Sequence, residues 1–269
     1  MPSGIRGERG TGFRVISRSP CVSNLWRLCM LKDIEEAAER WAEITCPIFG
    51  ESSKRFVSAE GFGTGFLTSI KTEMYFFTAY HVLEDFKRYS VRIANIGGKA
   101  FDLDSLEFQG DKKLDIGFAR VDAQQLRHLG LSSVKHCPLA RDWSEWCPLE
   151  VFVAMGYPAT RNELKLKFNS TDRHCLNIFA SKTTTQAPKS ALAKYLGIAY
   201  DPKKVTLSDG TFLKPPELKG ISGGPCFQLM RRYVKESVAY SFRLRSVISE
   251  LHPTQKIITT SPIEALIGT

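Results

Sequence analysis

Hydrophobic and polar residues follow two different periods along this chain. Over residues 31–45 the apolar positions recur every three or four residues, and charged residues occupy the opposite side. This period predicts an amphipathic helix whose apolar face packs against the domain that follows. From Cys46 onward the pattern changes to alternation and to short apolar runs, which indicates β-strands.

The strand patterns are short, are separated by turn residues and far outnumber the helical ones. The predicted strands are residues 61–68, 74–79, 91–96, 115–121, 149–155, 164–168, 177–180, 225–229, 243–248 and 256–260. Helical patterns return only at 123–129, 190–196 and 262–267. Such a series predicts an all-β sandwich or barrel. A polar, proline-containing connection at 132–146 predicts a domain boundary near the middle of the chain.

The segment 1–29 is rich in Gly, Ser and Arg and has little periodicity, which predicts a disordered basic extension. It carries five arginines against one glutamate. Two explanations of this composition remain open. The segment is either an organelle transit peptide or an upstream extension that precedes a natural start at Met30.

The charge of the chain is strongly positive, at +9. Residues 161–219 carry eleven Lys or Arg against five acids. A basic field attracts nucleic acid, anionic membranes or acidic proteins. These charges are dispersed and lack interleaved aromatic residues for base stacking, which favours a solvated surface and leaves nucleic-acid binding as the weaker alternative.

Composition and cysteine content narrow the class of protein. The chain is 43% hydrophobic and 24% charged, as in soluble globular proteins, and no apolar run reaches the roughly 18 residues of a membrane span. Without a secretory signal we expect a cytoplasmic protein with no membrane partner. Seven scattered cysteines without a Cys-x-x-Cys pair predict neither disulfides nor a metal site, and no cofactor motif is present.

Three short segments carry candidate chemistry. Residues 220–225, Gly-Ile-Ser-Gly-Gly-Pro, place the hydroxyl of Ser222 in a glycine-rich turn, where backbone N–H groups can approach a substrate oxygen. His81 follows a buried strand, and Asp115 heads an apolar run. Taken singly, each has a plain structural explanation: a structural histidine, a capping aspartate and a simple turn.

Taken together, these segments resemble the signatures of the trypsin-like (chymotrypsin-fold) serine peptidases. The matching segments are Thr-Ala-Tyr-His81-Val, Leu-Asp115-Ile and Gly-Ile-Ser222-Gly-Gly-Pro. Residues 63–66, Gly-Thr-Gly-Phe, and residues 151–158 resemble the prokaryotic and intracellular-type branch of that family.

The resemblance covers about residues 45–268 and implies an all-β fold of two six-stranded antiparallel β-barrels. The first barrel, with the N-terminal helix, would occupy residues 30–135 and supply His81 and Asp115. The second, with a C-terminal helix, would occupy residues 136–269 and supply Ser222. The implied activity is a serine endopeptidase that needs no cofactor.

The family resemblance also implies a role for each residue. Ser222 would attack the peptide carbonyl, His81 would take and return the proton, and Asp115 would orient the imidazole. The backbone N–H groups of Gly220 and Ser222 would form the oxyanion hole. Secreted relatives carry an aspartate immediately before the serine, which pairs with a new N-terminus on activation. Ile221 occupies that position here, so activation by that route is not expected.

The sequence says less about the substrate, which would be a protein or peptide and either a general one or a single dedicated partner. Glu217 would border the pocket for the residue before the scissile bond, although a solvent-facing carboxylate is the simpler alternative. The segment Ser246-Val247-Ile248-Ser249 is predicted to form the edge that pairs with substrate as an added strand. The alternative to an enzyme is an inactive or low-turnover protease-fold binding or sensor module, engaging nucleic acid or an acidic partner through 161–219.

Overall fold

The computed structural model describes residues 13–17, 41–51, 59–129, 142–159, 163–165, 170–171, 175–183, 195–206, 217–235 and 237–267. Its strands are β1 (Phe13–Ser17), β2 (Thr45–Glu51), β3 (Ala59–Ile70), β4 (Glu73–Thr78), β5 (Val91–Ile96), β6 (Lys99–Asp102), β7 (Gln109–Asp111), β8 (Ile116–Val121), β9 (Cys147–Gly156), β10 (Glu163–Lys165), β11 (Ser170–Thr171), β12 (Leu176–Ser181), β13 (Leu196–Ala199), β14 (Val205–Thr206), β15 (Pro225–Val234), β16 (Ser237–His252) and β17 (Ile257–Pro262). Its helices are α1 (residues 41–44), α2 (Tyr80–Asp85), α3 (Ala123–Leu129) and α4 (Glu264–Ile267), with single 3₁₀ turns at Phe86–Arg88, Leu103–Ser105 and Pro202–Lys204.

The first sheet has the order β6-β5-β2-β3-β4-β8-β7, and every pairing in it is antiparallel. Strand β10 adds to β3, and β11 adds to β10. Aromatic residues fill the interior: Phe77 stacks against Phe66 at 5.7 Å and against Phe118 at 5.8 Å between ring centroids. Alternation along the strands directs these rings inward, as the period-2 pattern predicts.

The second sheet has the order β13-β17-β16-β15-β9-β12-β1-β14. Its pairings are antiparallel except for that of β1 with β12, which is parallel. The long hairpin of β15 and β16 forms its centre. One hydrophobic core contains residues of both sheets, including Phe66, Met155 and Phe227, so the two sheets pack against each other.

The structure confirms the predicted all-β architecture of two antiparallel sheets, as in a two-barrel chymotrypsin-like fold. The strand numbers differ from six and six: in the described residues the first sheet has nine strands, including β10 and β11, and the second has eight, including β1 and β14. The predicted helices at 123–129 and 262–267 correspond to α3 and α4. Of the predicted helix at 190–196, residues 190–194 lie outside the described residues, and Leu196 begins β13. No helix in the described part of the chain is long and apolar enough to span a membrane.

The N-terminal region differs from the prediction at one point. Residues 13–17, within the segment predicted to be disordered, form strand β1 between β12 and β14. Its sequence contains Val15 and Ile16, whose β-branched side chains favour strands, and the edge of β12 offers unpaired backbone groups. The rest of 1–29 lies outside the described residues.

The last turn of the predicted N-terminal helix packs where it was expected to. Of residues 31–45, residues 41–44 are helical and residues 31–40 are not described. The indole of Trp41 stacks on Phe227 of β15 with ring centroids 5.0 Å apart. The hydroxyl of Tyr157 donates to the carbonyl of Thr45 at 3.2 Å. This helix end therefore contacts the second sheet, although β2 of the first sheet follows it directly.

We expect Trp41→Ala to lower the free energy of unfolding by about 2–4 kcal/mol, because it removes a large side chain from a stacked, partly buried position. Urea denaturation followed by circular dichroism measures the change. Tyr233→Ala is the matched control, since Tyr233 is 62% exposed and its loss is expected to cost under about 0.5 kcal/mol. Equal effects of the two substitutions would contradict the contact with Phe227.

Candidate active site

The turn that carries Ser222 is shaped by its glycines. Gly220 and Gly223 have φ angles of +94° and +89°, a region that L side chains rarely adopt. A Cβ on Gly223 would overlap the carbonyl oxygen of Thr64 and the hydroxyl of Thr78, both in the first sheet. One on Gly224 would overlap the carbonyl oxygen of Met155 in β9. The glycines therefore let this turn fit between the two sheets.

Thr64 in β3 fastens the turn to the first sheet. Its hydroxyl donates to the carbonyl of Gly220 at 2.7 Å and accepts from the N–H of Tyr157 at 2.9 Å. Its own N–H donates to the carbonyl of Ser222 at 2.9 Å. Thr64 is fully buried. In the sequence Thr64 stands out only as part of the Gly-Thr-Gly-Phe motif, and nothing local indicates this role, since its partners are distant in the chain.

His81 lies in the first turn of α2, immediately after β4. Its backbone N–H donates to Oδ1 of Asp115 at 2.9 Å. Its ring Nδ1 lies 2.9 Å from Oδ2 and 3.1 Å from Oδ1 of the same carboxylate. Asp115 therefore holds both the helix start and the imidazole, and the structure brings these two predicted residues together.

Asp115 is placed by an unusual backbone conformation. Its φ angle is +50°, where aspartate is tolerated better than most residues. It immediately precedes β8, which pairs with β4 through Gly117 and Thr78. Only 8% of Asp115 is exposed. Its hydrogen bonds to His81 compensate for the burial of this carboxylate.

The surroundings raise the pKa of His81 above its ordinary value of 6.5. Burial alone would lower the pKa, because it disfavours the imidazolium. The hydrogen bond and charge of Asp115, with the charges of Asp85 and Glu250, outweigh that effect. The imidazolium is therefore stabilised by three carboxylates around it.

Ser222 and His81 are carried by segments in contact. A Cβ added to Gly223 would lie 2.8 Å from the nitrogen of Ala79, two residues before His81. The hydroxyl of Ser222 donates to the carbonyl of Ser249 at 2.9 Å. No hydrogen bond joins Ser222 to His81 within the described ranges.

Two backbone donors lie beside the Ser222 hydroxyl. The N–H groups of Gly220 and Ser222, predicted for the oxyanion hole, find no acceptor among the residues that the structure describes. Between them, Ile221 is 3% exposed and belongs to the core of the second sheet. Its N–H donates to the carbonyl of Leu218 at 3.1 Å. The buried side chain of Ile221 thus fixes the turn to the core of the second sheet.

The predicted substrate-pairing edge at 246–249 is wrong for its first three residues, Ser246, Val247 and Ile248. These residues are at most 1% exposed and lie inside the sheet. Strand β15 covers one side of the segment and β17 covers the other. Beyond it, residues 250–252 pair with β17, and no second strand among the described residues covers their other side. Within the described part of the chain, the open edge of β16 therefore begins at Ser249.

Other groups near Ser222 offer less support for a role in binding or chemistry. Glu217 is exposed, as the solvent-facing alternative expected. Cys226 lies four residues after Ser222, but complete burial raises the pKa of its thiol to about 12, so the thiol stays protonated. The described ranges contain no group of three His, Cys, Asp or Glu side chains arranged to hold a metal ion.

We expect Thr64→Val to destabilise the protein by about 2–4 kcal/mol, because it leaves the buried carbonyl of Gly220 and N–H of Tyr157 without their hydroxyl partner. Thr64→Ser keeps the hydroxyl and is the control, expected to lose under about half as much. Thermal and urea unfolding of the three proteins measure the difference. A valine variant as stable as wild type would show that Thr64 does not fasten the turn.

No protein family and no curated protein sequence matches this chain. Several solved structures resemble it. One, described in connection with the Sesbania mosaic virus VPg protein, is 19% identical with a TM-score of 0.47, over 84% of this chain and 88% of that one. The serine protease domain of the Sesbania mosaic virus polyprotein is 18% identical with a TM-score of 0.45, over 83% and 90%. The VesB protease of Vibrio cholerae is 12% identical with a TM-score of 0.49, over 86% and 63%.

These likenesses are too distant to carry a residue's role or an activity to this chain. The fold assignment rests on the strand pairing itself, which forms two antiparallel sheets packed on one shared core, as in a chymotrypsin-like fold.

Proposed function

We propose that this chain is a serine endopeptidase that hydrolyses peptide bonds through Ser222, His81 and Asp115. One observation supports it above the others. The Asp115 carboxylate bonds both to the backbone and to Nδ1 of His81, on the segment that contacts the Ser222 turn. A purely structural histidine needs neither a buried carboxylate at its ring nor a half-buried serine in the adjacent turn.

In the proposed mechanism Asp115 sets the tautomer of His81. Nδ1–H donates to Oδ2 of Asp115, which leaves Nε2 as the proton acceptor. Rotation about χ1 of Ser222 moves its hydroxyl from the Ser249 carbonyl toward Nε2, a small change between staggered rotamers. Catalytic hydrogen bonds often tighten only when substrate is bound.

The two chemical steps then follow from these groups. His81 takes the Ser222 proton as Oγ attacks the scissile carbonyl, and the N–H groups of Gly220 and Ser222 stabilise the oxyanion. The imidazolium gives its proton to the leaving amine, and an acyl-enzyme remains. Water, activated by His81, attacks the ester and releases the acid and free Ser222. No cofactor or metal takes part in this scheme.

A second candidate function is a protease-fold binding or sensor module with little turnover. The observation that favours it is the Ser222 hydroxyl, which bonds to Ser249 and not to His81. Binding of nucleic acid or of an acidic partner through 161–219 also remains a proposal, although much of that segment lies outside the described residues. A cytoplasmic location stays a prediction from the sequence.

Replacing Ser222 with alanine is expected to abolish labelling by a fluorophosphonate probe and to reduce peptide hydrolysis by about 10⁴-fold or more, because the nucleophile is lost. In-gel fluorescence and peptide-library mass spectrometry measure both effects. Ser237→Ala is the control, since its hydroxyl donates to the carbonyl of Val234 in an exposed turn. Undiminished labelling of Ser222→Ala would rule out this nucleophile. Labelling of the wild type without cleavage of any peptide would favour the sensor module.

The pH profile of kcat/KM is expected to lose activity as pH falls through a value above 6.5, because only neutral His81 accepts the serine proton and the pKa of His81 is raised. Asp115→Asn removes the main group that raises this pKa, so the acid limb moves to lower pH. The same change lowers kcat by about 10⁴-fold, because the tautomer is no longer set. An acid limb that is unmoved in Asp115→Asn would contradict the pairing.

A further inference from the structure

The open part of β16 starts beside the Ser222 hydroxyl. Strand β15 begins at Pro225, which pairs with Val247, so within the described residues no strand pairs with the residues beyond Ile248 on that side. The register with β17 shifts between Ile248 and Glu250, which makes Ser249 a bulge residue. An extended peptide can add to such an edge as a further strand. The contact between Ser222 and the Ser249 carbonyl aligns this edge with the scissile bond.

Glu250 is the first side chain on this edge that faces outward. Its side chain is 56% exposed, whereas the next residue, Leu251, packs against the core of the second sheet. In α2, Asp85 lies four residues after His81 and so on the same face, and its carboxylate pairs with Arg88 at 3.1 Å. The charges of Glu250 and Asp85 both raise the pKa of His81.

We propose that Glu250 is a specificity-determining residue that selects a lysine or arginine at the second or fourth position before the scissile bond (P2 or P4). This inference rests on the proposed peptidase function. In an extended peptide P2 and P4 point to one side and P1 and P3 to the other. A peptide paired with residues 249–252 presents P2 and P4 on the outward side of the edge, where Glu250 lies. A cation there meets the exposed carboxylate of Glu250.

Glu250 contacts His252 within the chain, and this contact leaves its carboxylate able to bind a substrate cation. Its Oε2 lies 3.4 Å from Nε2 of His252. The same ring nitrogen lies 3.3 Å from the hydroxyl of Thr259. His252 is only 10% exposed at its side chain, so it stays in place whether or not Glu250 contacts it. The more exposed carboxylate can turn toward a substrate cation at little cost.

The test compares peptides that differ only by Lys, Leu or Glu at each of the positions P1 to P4. For the wild type we expect kcat/KM to favour Lys over Glu by about tenfold at P2 or P4, and the ratio to shrink at about 1 M salt, where charges are screened within ~3 Å. Glu250→Gln should remove most of this ratio, and Glu250→Lys should reverse it. The control is Glu73→Gln, because Glu73 begins β4 at the end away from His81 and pairs with Arg120. Its ratio should equal that of the wild type.

The outcomes separate this inference from the peptidase proposal. Cleavage with the same Lys-to-Glu ratio in wild type and Glu250→Gln would overturn the role of Glu250 and leave the peptidase intact. If no peptide is cleaved, the same peptides are tested for binding to the Ser222→Ala protein by fluorescence anisotropy. If the Ser222→Ala protein binds Lys peptides more tightly than Glu peptides, and the double variant Ser222→Ala, Glu250→Gln does not, the inference is supported without turnover. Equal affinity for Lys and Glu peptides would overturn it.

Discussion

The close fit of one glycine turn between two sheets is the constraint on which the rest of this structure depends. The turn around Ser222 passes so near Thr64, Thr78 and Met155 that no Cβ fits at two of its positions. Thr64 closes this contact with three hydrogen bonds to the second half of the chain. Backbone donors, a serine hydroxyl and the edge of β16 are therefore held in one place by packing that no single sheet provides.

The charges around His81 are the second feature that determines the properties of the candidate site. A buried carboxylate at Nδ1 stabilises the imidazolium more than burial destabilises it, and two further acids, Asp85 and Glu250, act in the same direction. The electrostatic potential at His81 is thus negative, although the net charge of the chain is +9. A basic peptide would be repelled by the surface at long range and attracted by these carboxylates at short range, and salt weakens both effects.

Local patterns predicted most of the strands because a half-buried strand repeats every two residues whatever its partner. They predicted β5 and α3 to the residue, and they brought out His81, Asp115 and Ser222 as candidates. They failed for β16, where Ser246 to Ile248 resemble any other strand segment. Whether a strand segment is an edge depends on where its neighbour begins, and Pro225 sets that from more than twenty positions away. The strand in 13–17 was missed for the same reason, since its partners β12 and β14 lie far along the chain.

The sequence by itself determined the all-β class, the glycine turn and the three candidate side chains, because each of these follows from a pattern of residues a few positions apart. Tertiary structure alone decided which edge is open, that Thr64 joins the halves, and that Asp115 reaches both the backbone and the ring of His81. Those features are contacts between segments separated by 22 to 156 residues. Their geometry follows from how the two sheets pack, and no short stretch of sequence contains that information.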